Sequence, residues 1–126
     1  MSMSNASETN LLNLLFNNVD WPNVGDAAGL QNSATAGSFY VALHTTDPAD
    51  AGTQSTNEIA YTGYARVAVA RSAGGFTVSG ANVSNTATVQ FGECTAGSAS
   101  AGYFSVGLAA SGAGDILYSG SLSAVR

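Results

Sequence analysis

A chain of 126 residues is the length of one domain, and with three Lys or Arg against eight Asp or Glu it carries a net charge of −5. Binding to a nucleic-acid backbone or an anionic lipid surface needs clustered cations. Arg66, Arg71 and Arg126 are the only ones, with no lysine, so neither nucleic acid nor membrane is expected as a direct partner.

Charged residues make up 9% of the chain, against roughly 25% in an average soluble domain. The surface is then built largely of Ser, Thr, Asn, Gly and Ala, short side chains that lose little rotamer entropy against a partner. A neutral soluble β domain and an assembly subunit both fit this composition. Cys94 is alone, which rules out an intrachain disulfide and a Cys-based metal site and agrees with assembly in a reducing cytoplasm. Met1 to Leu15 has no basic flank and its apolar part is interrupted by Asn13, so neither a signal peptide nor a membrane span is expected.

Leu11, Leu12, Leu15 and Val19 recur at helical spacing, widened by Leu14 and Phe16, and predict one amphipathic helix from Ser7 to Asn18. Asn5 with Glu8 resembles a capping box, and Asn17-Asn18 before Trp21-Pro22 supplies a stop. Asn23 to Gly37 has no periodicity and reads as a loop. From Phe39 the period becomes two, with Phe39, Val41 and Leu43 alternating with Tyr40, Ala42 and His44 in a first strand.

Thr45 to Glu58 is a long run of turn formers, the kind of loop that is usually functional or held by a partner. Tyr64 to Arg71 predicts a second strand, and Gly74-Gly75 turns the chain into Phe76-Thr77-Val78. Val83, Ala87, Val89 and Phe91 share one parity and predict a further strand with one wet face. After the small-residue loop Ala96 to Gly102, Phe104, Val106 and Leu108 form a strand, and Ile116-Leu117-Tyr118 forms the last. Six or seven such strands predict a mainly-β, antiparallel β-sandwich or jelly roll with one short N-terminal helix. The expected layout is a single domain over 1–126, with a helix and loop arm at 1–37 and the sandwich at 38–126. No repeat or heptad pattern encodes a fibrous shaft.

His44 and Asp47 suggest a base and its orienting carboxylate, with Ser38 or Ser72 as nucleophile, yet no Gly-x-Ser-x-Gly elbow accompanies them. The structural alternative has His44 capping its strand and Asp47 making an Asx-turn before Pro48. Asp47, Asp50 and Glu58 offer oxygen ligands to a hard cation, but not at EF-hand spacing. Asn82-Val83-Ser84 and Asn5-Ala6-Ser7 fit the glycosylation triplet without a secretion signal, and Gly112-Ala113-Gly114 leads into a strand instead of a phosphate-binding helix. The expectation is therefore no catalytic residue, no cofactor and no metal. Trp21, Tyr40, Tyr61 and Tyr64 are the candidate partner contacts, since aromatics with a polar tip are enriched at interface hot spots. Arg66 and Arg71 join them, at an odd separation that puts them on opposite faces of a regular strand, one of them either paired with an acid or packed along a neighbour's surface.

Three runs carry a resemblance: Phe39-Tyr40-Val41-Ala42-Leu43-His44-Thr45, Tyr61-Thr62-Gly63-Tyr64-Ala65-Arg66-Val67, and Phe104-Ser105-Val106-Gly107 before Gly112-Ala113-Gly114-Asp115-Ile116-Leu117-Tyr118. The chain resembles small tailed-bacteriophage virion proteins labelled tail-fibre-like or capsid decoration (cement) proteins. The resemblance implies a non-enzymatic protein that clamps the outer surface of the capsid, with the major capsid protein and further copies of itself as partners. The alternative is a tail-fibre or tail-tip host adhesin, and a small hydrolase or lectin-like domain is the remaining rival. Related sequences usually continue with one or two further β segments, and the end at Arg126 implies a missing edge strand whose backbone a neighbour would satisfy.

Overall fold

The structure is a computed structural model that describes residues 1–126. It contains one helix, α1 (Asn5–Asn17), and the strands β1 (Ser38–His44), β2 (Val67–Ala70), β3 (Phe76–Ser79), β4 (Asn82–Asn85), β5 (Tyr103–Gly107) and β6 (Ile116–Ser121). The strands form a four-stranded sheet in the order β2-β1-β5-β6 and a two-stranded β3-β4 sheet. β1 with β5, β5 with β6 and β3 with β4 pair antiparallel. The fold is thus mainly β with a single short helix.

The chain divides into two compact units, Met1–Ser38 with Val69–Thr88, and Phe39–Ala68 with Val89–Arg126. In the first, α1 packs on the β3-β4 hairpin. Leu12 and Phe16 are buried one helical turn apart, and the Phe16 ring meets Phe76 edge-on at 4.9 Å between centroids. The N-cap is Ser4, whose hydroxyl accepts from the Ser7 N–H, and not the Asn5 of the expected capping box. At the other end Asn18 is left-handed at φ 55°, a conformation that Asn tolerates, so the Asn17-Asn18 stop falls where the sequence placed it.

In the second unit β1 is a central strand. Phe39 and Val41 are buried on one of its faces and Ala42 and His44 on the other, which is why it reads as apolar at nearly every position. Ile59 and Ala101 complete the buried apolar set of this unit. Leu43 accepts from the Ile59 N–H, and Thr45 donates to Asn57, which ties the end of the 45–58 loop alongside β1. The strand expected through Phe91 ends at Asn85. Beyond it Thr86 donates backward to Gly75, and no strand forms again before Tyr103.

Candidate functional site

The densest polar cluster lies in the second unit around Arg66, just ahead of β2. Its side chain is only 2% exposed. Nε donates to Glu58 Oε1 at 2.7 Å and Nη2 to Glu58 Oε2 at 2.7 Å, a bidentate pair. The remaining N–H groups reach the Ala109 carbonyl at 2.9 Å, the Gly112 carbonyl at 2.7 Å and Gln54 Oε1 at 3.5 Å. All five guanidinium donors are therefore used inside the subunit, and one side chain pins the 45–58 loop to the 108–115 turn.

Gln54 is the second anchor of this cluster and is fully buried. Its amide donates to the Tyr40 carbonyl at 2.9 Å, and its Oε1 accepts from the Ala109 N–H at 3.0 Å. Gly107 makes room for it: a Cβ there would stand 2.2 Å from Gln54 Cδ. Sequence reading missed Gln54, because a glutamine inside a polar loop has no periodic neighbours to announce burial.

Tyr64 joins the cluster from below the carboxylate. Its hydroxyl donates to Glu58 Oε1 at 2.9 Å and accepts from the Leu43 N–H at 3.1 Å. Burial, together with the charge and hydrogen bond of Glu58, pushes the phenol well above its ordinary value. For Glu58 itself burial acts upward, but the hydrogen bonds from Arg66 and Tyr64 and the guanidinium charge outweigh it and hold the carboxyl below its usual range. The hydrogen bond to Glu58 raises the Arg66 guanidinium in turn, against the opposing effect of burial. The Tyr64 ring stacks on Phe91 at 6.0 Å and meets Tyr61 edge-on at 5.5 Å, and Tyr61 Oη donates to the Gly92 carbonyl at 2.7 Å.

His44 is the last residue of β1, and its ring is fully buried. Nδ1 lies 2.8 Å from the Thr56 carbonyl, which can only accept, so Nδ1 carries a proton. Nε2 lies 2.8 Å from Ser105 Oγ, and in the neutral ring it accepts from that hydroxyl. A serine facing a histidine nitrogen has the spacing of a nucleophile and its base, but both groups are shut off from solvent and the far nitrogen meets a carbonyl, not a carboxylate. Asp47 is elsewhere: its Oδ1 accepts from the Ala49 N–H in the expected Asx-turn, ahead of a buried Pro48. Ser105 had no readable signal: the alternation of Phe104, Val106 and Leu108 puts it on the opposite parity, which reads as the wet face, yet it is fully buried.

Glu58 is paired with Arg66, and no group of three His, Cys, Asp or Glu side chains converges as a metal-binding set. Cys94 is free and exposed, and no helix is long and apolar enough to cross a membrane.

Trp21 and Arg71 belong to the first unit. The Trp21 backbone exchanges both hydrogen bonds with Leu30 at 2.9 Å, closing the 21–30 loop, with its side chain partly buried. Arg71 donates from Nε to the Leu15 carbonyl at 2.6 Å and from Nη2 to Leu14 at 2.9 Å, and its Nη1 reaches Ala36 at 3.0 Å. Leu14 and Leu15 carry two of the carbonyls that the end of a helix leaves unpaired, so Arg71 caps α1 from a distance. The six expected contact residues are divided between the units: Tyr40, Tyr61, Tyr64 and Arg66 lie in the second, Trp21 and Arg71 in the first.

A small mainly-β protein results, in which two of three arginines hold its own loops and helix in place. The family described as Podophage GP4 fiber I protein gp80 matches residues 2–126, and the chain belongs to it; this is a structural protein of a bacteriophage virion. No curated protein and no solved structure matches the chain.

Proposed function

We propose that the chain is a non-enzymatic fibre-associated subunit on the outside of the phage particle, working by contact with other proteins. The observation that supports this most is the inward use of Arg66, Glu58, Gln54 and His44, which stiffens the 45–58 loop while its Thr45–Asp47 and Ala49–Ala51 stretches stay exposed. A loop already ordered loses little conformational entropy when a host or virion surface meets it. The candidate partner contacts Tyr40, Tyr61 and Tyr64 of the second unit are each partly buried and offer a partner rings with a polar tip, as Trp21 does separately in the first.

A second reading is favoured by the charge: an acidic, lysine-free protein with 9% charged residues suits decoration of the capsid exterior, away from the genome. There it would bridge copies of the major capsid protein and oppose internal pressure as a cement. Locating the protein in a map of the whole particle tests both. Density on a fibre, with lost host adsorption when the protein is missing, supports the fibre reading. Density across joints of the shell, with lost resistance to heat and osmotic shock, overturns it in favour of cement.

A further inference from the structure

The sheet order leaves β6 at the margin of the four-stranded sheet, and the hydrogen-bond parity identifies which of its backbone groups point outward. Leu43 accepts from Ile59 and donates to Tyr64 Oη, so its backbone faces away from β5. Ala42 and His44 must then face β5, and Ala42 lies opposite Ser105. Along β5 the next parity, Phe104 and Val106, faces β6, opposite Gly120 and Tyr118. The Leu122 N–H bonded to the Gly102 carbonyl keeps the same parity. Ser119 and Ser121 therefore present their N–H and C=O groups to the open side, and both residues are exposed.

Such an edge is usually guarded by charge, proline or a twist. From Ile116 to Ser121 there is neither a charged residue nor a proline, and the guards are confined to the start of the strand, where the register shift opposite Val106 and Gly107 lies and Thr53 bridges to Asp115. Beyond that shift the edge is unguarded. Because it is uncharged in a protein of net charge −5, a second copy can bring the same strand alongside without opposing like charges. Two-fold pairing would satisfy Ser119 and Ser121 on both copies at once. Tyr118, 43% exposed, shares its face with Gly120, whose missing Cβ would stand 2.9 Å from the Phe104 ring. A neighbour's Tyr118 would extend that aromatic row.

We infer that the outer edge of β6 is a self-association surface, pairing antiparallel with β6 of a second copy of this chain. The inference rests on the reading of the protein as an assembly subunit and names the surface that it uses. Sedimentation of the full chain over roughly 1 to 100 µM tests it, the range in which a small polar interface assembles. The wild type is expected to form a concentration-dependent dimer. Ser119→Pro with Ser121→Pro removes the outward donors and weakens it about tenfold or more. Ser119→Lys with Ser121→Lys, and separately Ser119→Asp with Ser121→Asp, should each be monomeric, and an equimolar mixture should recover a heterodimer in either register. A wholly monomeric wild type, variants that dimerise unchanged, or folded Lys and Asp variants that fail to recombine would overturn the inference. The charged pairs alter exposed side chains only, so they decide the matter even where the proline variant does not fold. Localisation on the particle succeeds or fails independently of this result.

Discussion

Replacing Arg66 by Ala is the sharpest test of what holds the second unit together. The substitution leaves Glu58, whose side chain is 18% exposed, with only the Tyr64 hydroxyl, and strips the Ala109 and Gly112 carbonyls of their charged donor. Breaking a buried pair by removing one partner costs about 3–5 kcal/mol. Gly112 is exposed and regains water, so the lower half of that range applies, about 3–4 kcal/mol. For a chain of this size that is a fall in Tm of roughly 10–15 °C. The assay is built into the sequence: all five tyrosines lie in the second unit and the one tryptophan in the first. Tyrosine near-UV signal during urea unfolding therefore reports the Arg66 unit. Arg66→Lys keeps the charge but loses the fork and should recover less than half of the loss. The double change Arg66→Met with Glu58→Met, which leaves no lone charge, should be milder than Arg66→Ala alone. A loss under about 1 kcal/mol for Arg66→Ala, or full rescue by Lys, would show that the guanidinium geometry is not what secures these loops.

Glu58 makes the same network sensitive to acid. Its folded carboxyl lies below its ordinary value of 4.5, so its stabilising contribution is complete above that pH and is lost as pH falls through the folded value. Glu58→Gln should lower stability at neutral pH and flatten the dependence below 4.5 in urea titrations at stepped pH. Ser105→Ala leaves His44 Nε2 without a partner in a dry site and should cost about 1–3 kcal/mol by chemical denaturation. Arg71→Ala uncaps α1 and should cost about 1–2 kcal/mol, read by Trp21 fluorescence. Gly107→Ala places a Cβ 2.2 Å from Gln54 Cδ and 2.6 Å from the Asp115 carbonyl, and should lower Tm by several degrees at about 1–3 kcal/mol.

The strand cores and the helix were legible because their signals are local. Phe39 to His44 and Phe104 to Val106 show the period of two where β1 and β5 form, and Leu12 and Phe16 mark the buried stripe of α1. The alternation over Val83 to Phe91 misled for a physical reason: parity records which side chains turn inward, not whether the backbone pairs. Phe91 turns inward to stack on Tyr64 from an unpaired segment. Strand spacing likewise could not say that β3 and β4 pair with each other under α1 and stay out of the four-stranded sheet. Of the polar network, the pairing of one arginine with an acid was visible, but Gln54 and the carbonyls of Leu14, Leu15, Ala109 and Gly112 were not. Main-chain acceptors have no letter in a sequence.

That invisible part bears on function. Each arginine side chain carries about 2 kcal/mol of rotamer entropy, which is recovered only when several donors are satisfied at once. Arg66 and Arg71 satisfy theirs mostly on loop and helix-end carbonyls, where a substitution by Lys would leave several unpaired. With no lysine elsewhere, Arg126 is the one exposed basic side chain, and the rest of the exposed surface is left to polar and apolar side chains and to scattered acids. Such a surface recognises by shape and backbone hydrogen bonding more than by charge, so its affinity for a partner should change little with salt. Attachment to the particle that survives about 1 M NaCl, a concentration with a Debye length near 3 Å, is the expected behaviour. Release at that salt would place the contact on the acidic residues instead, with Asp47 and Asp50 on the exposed loop as the first to mutate.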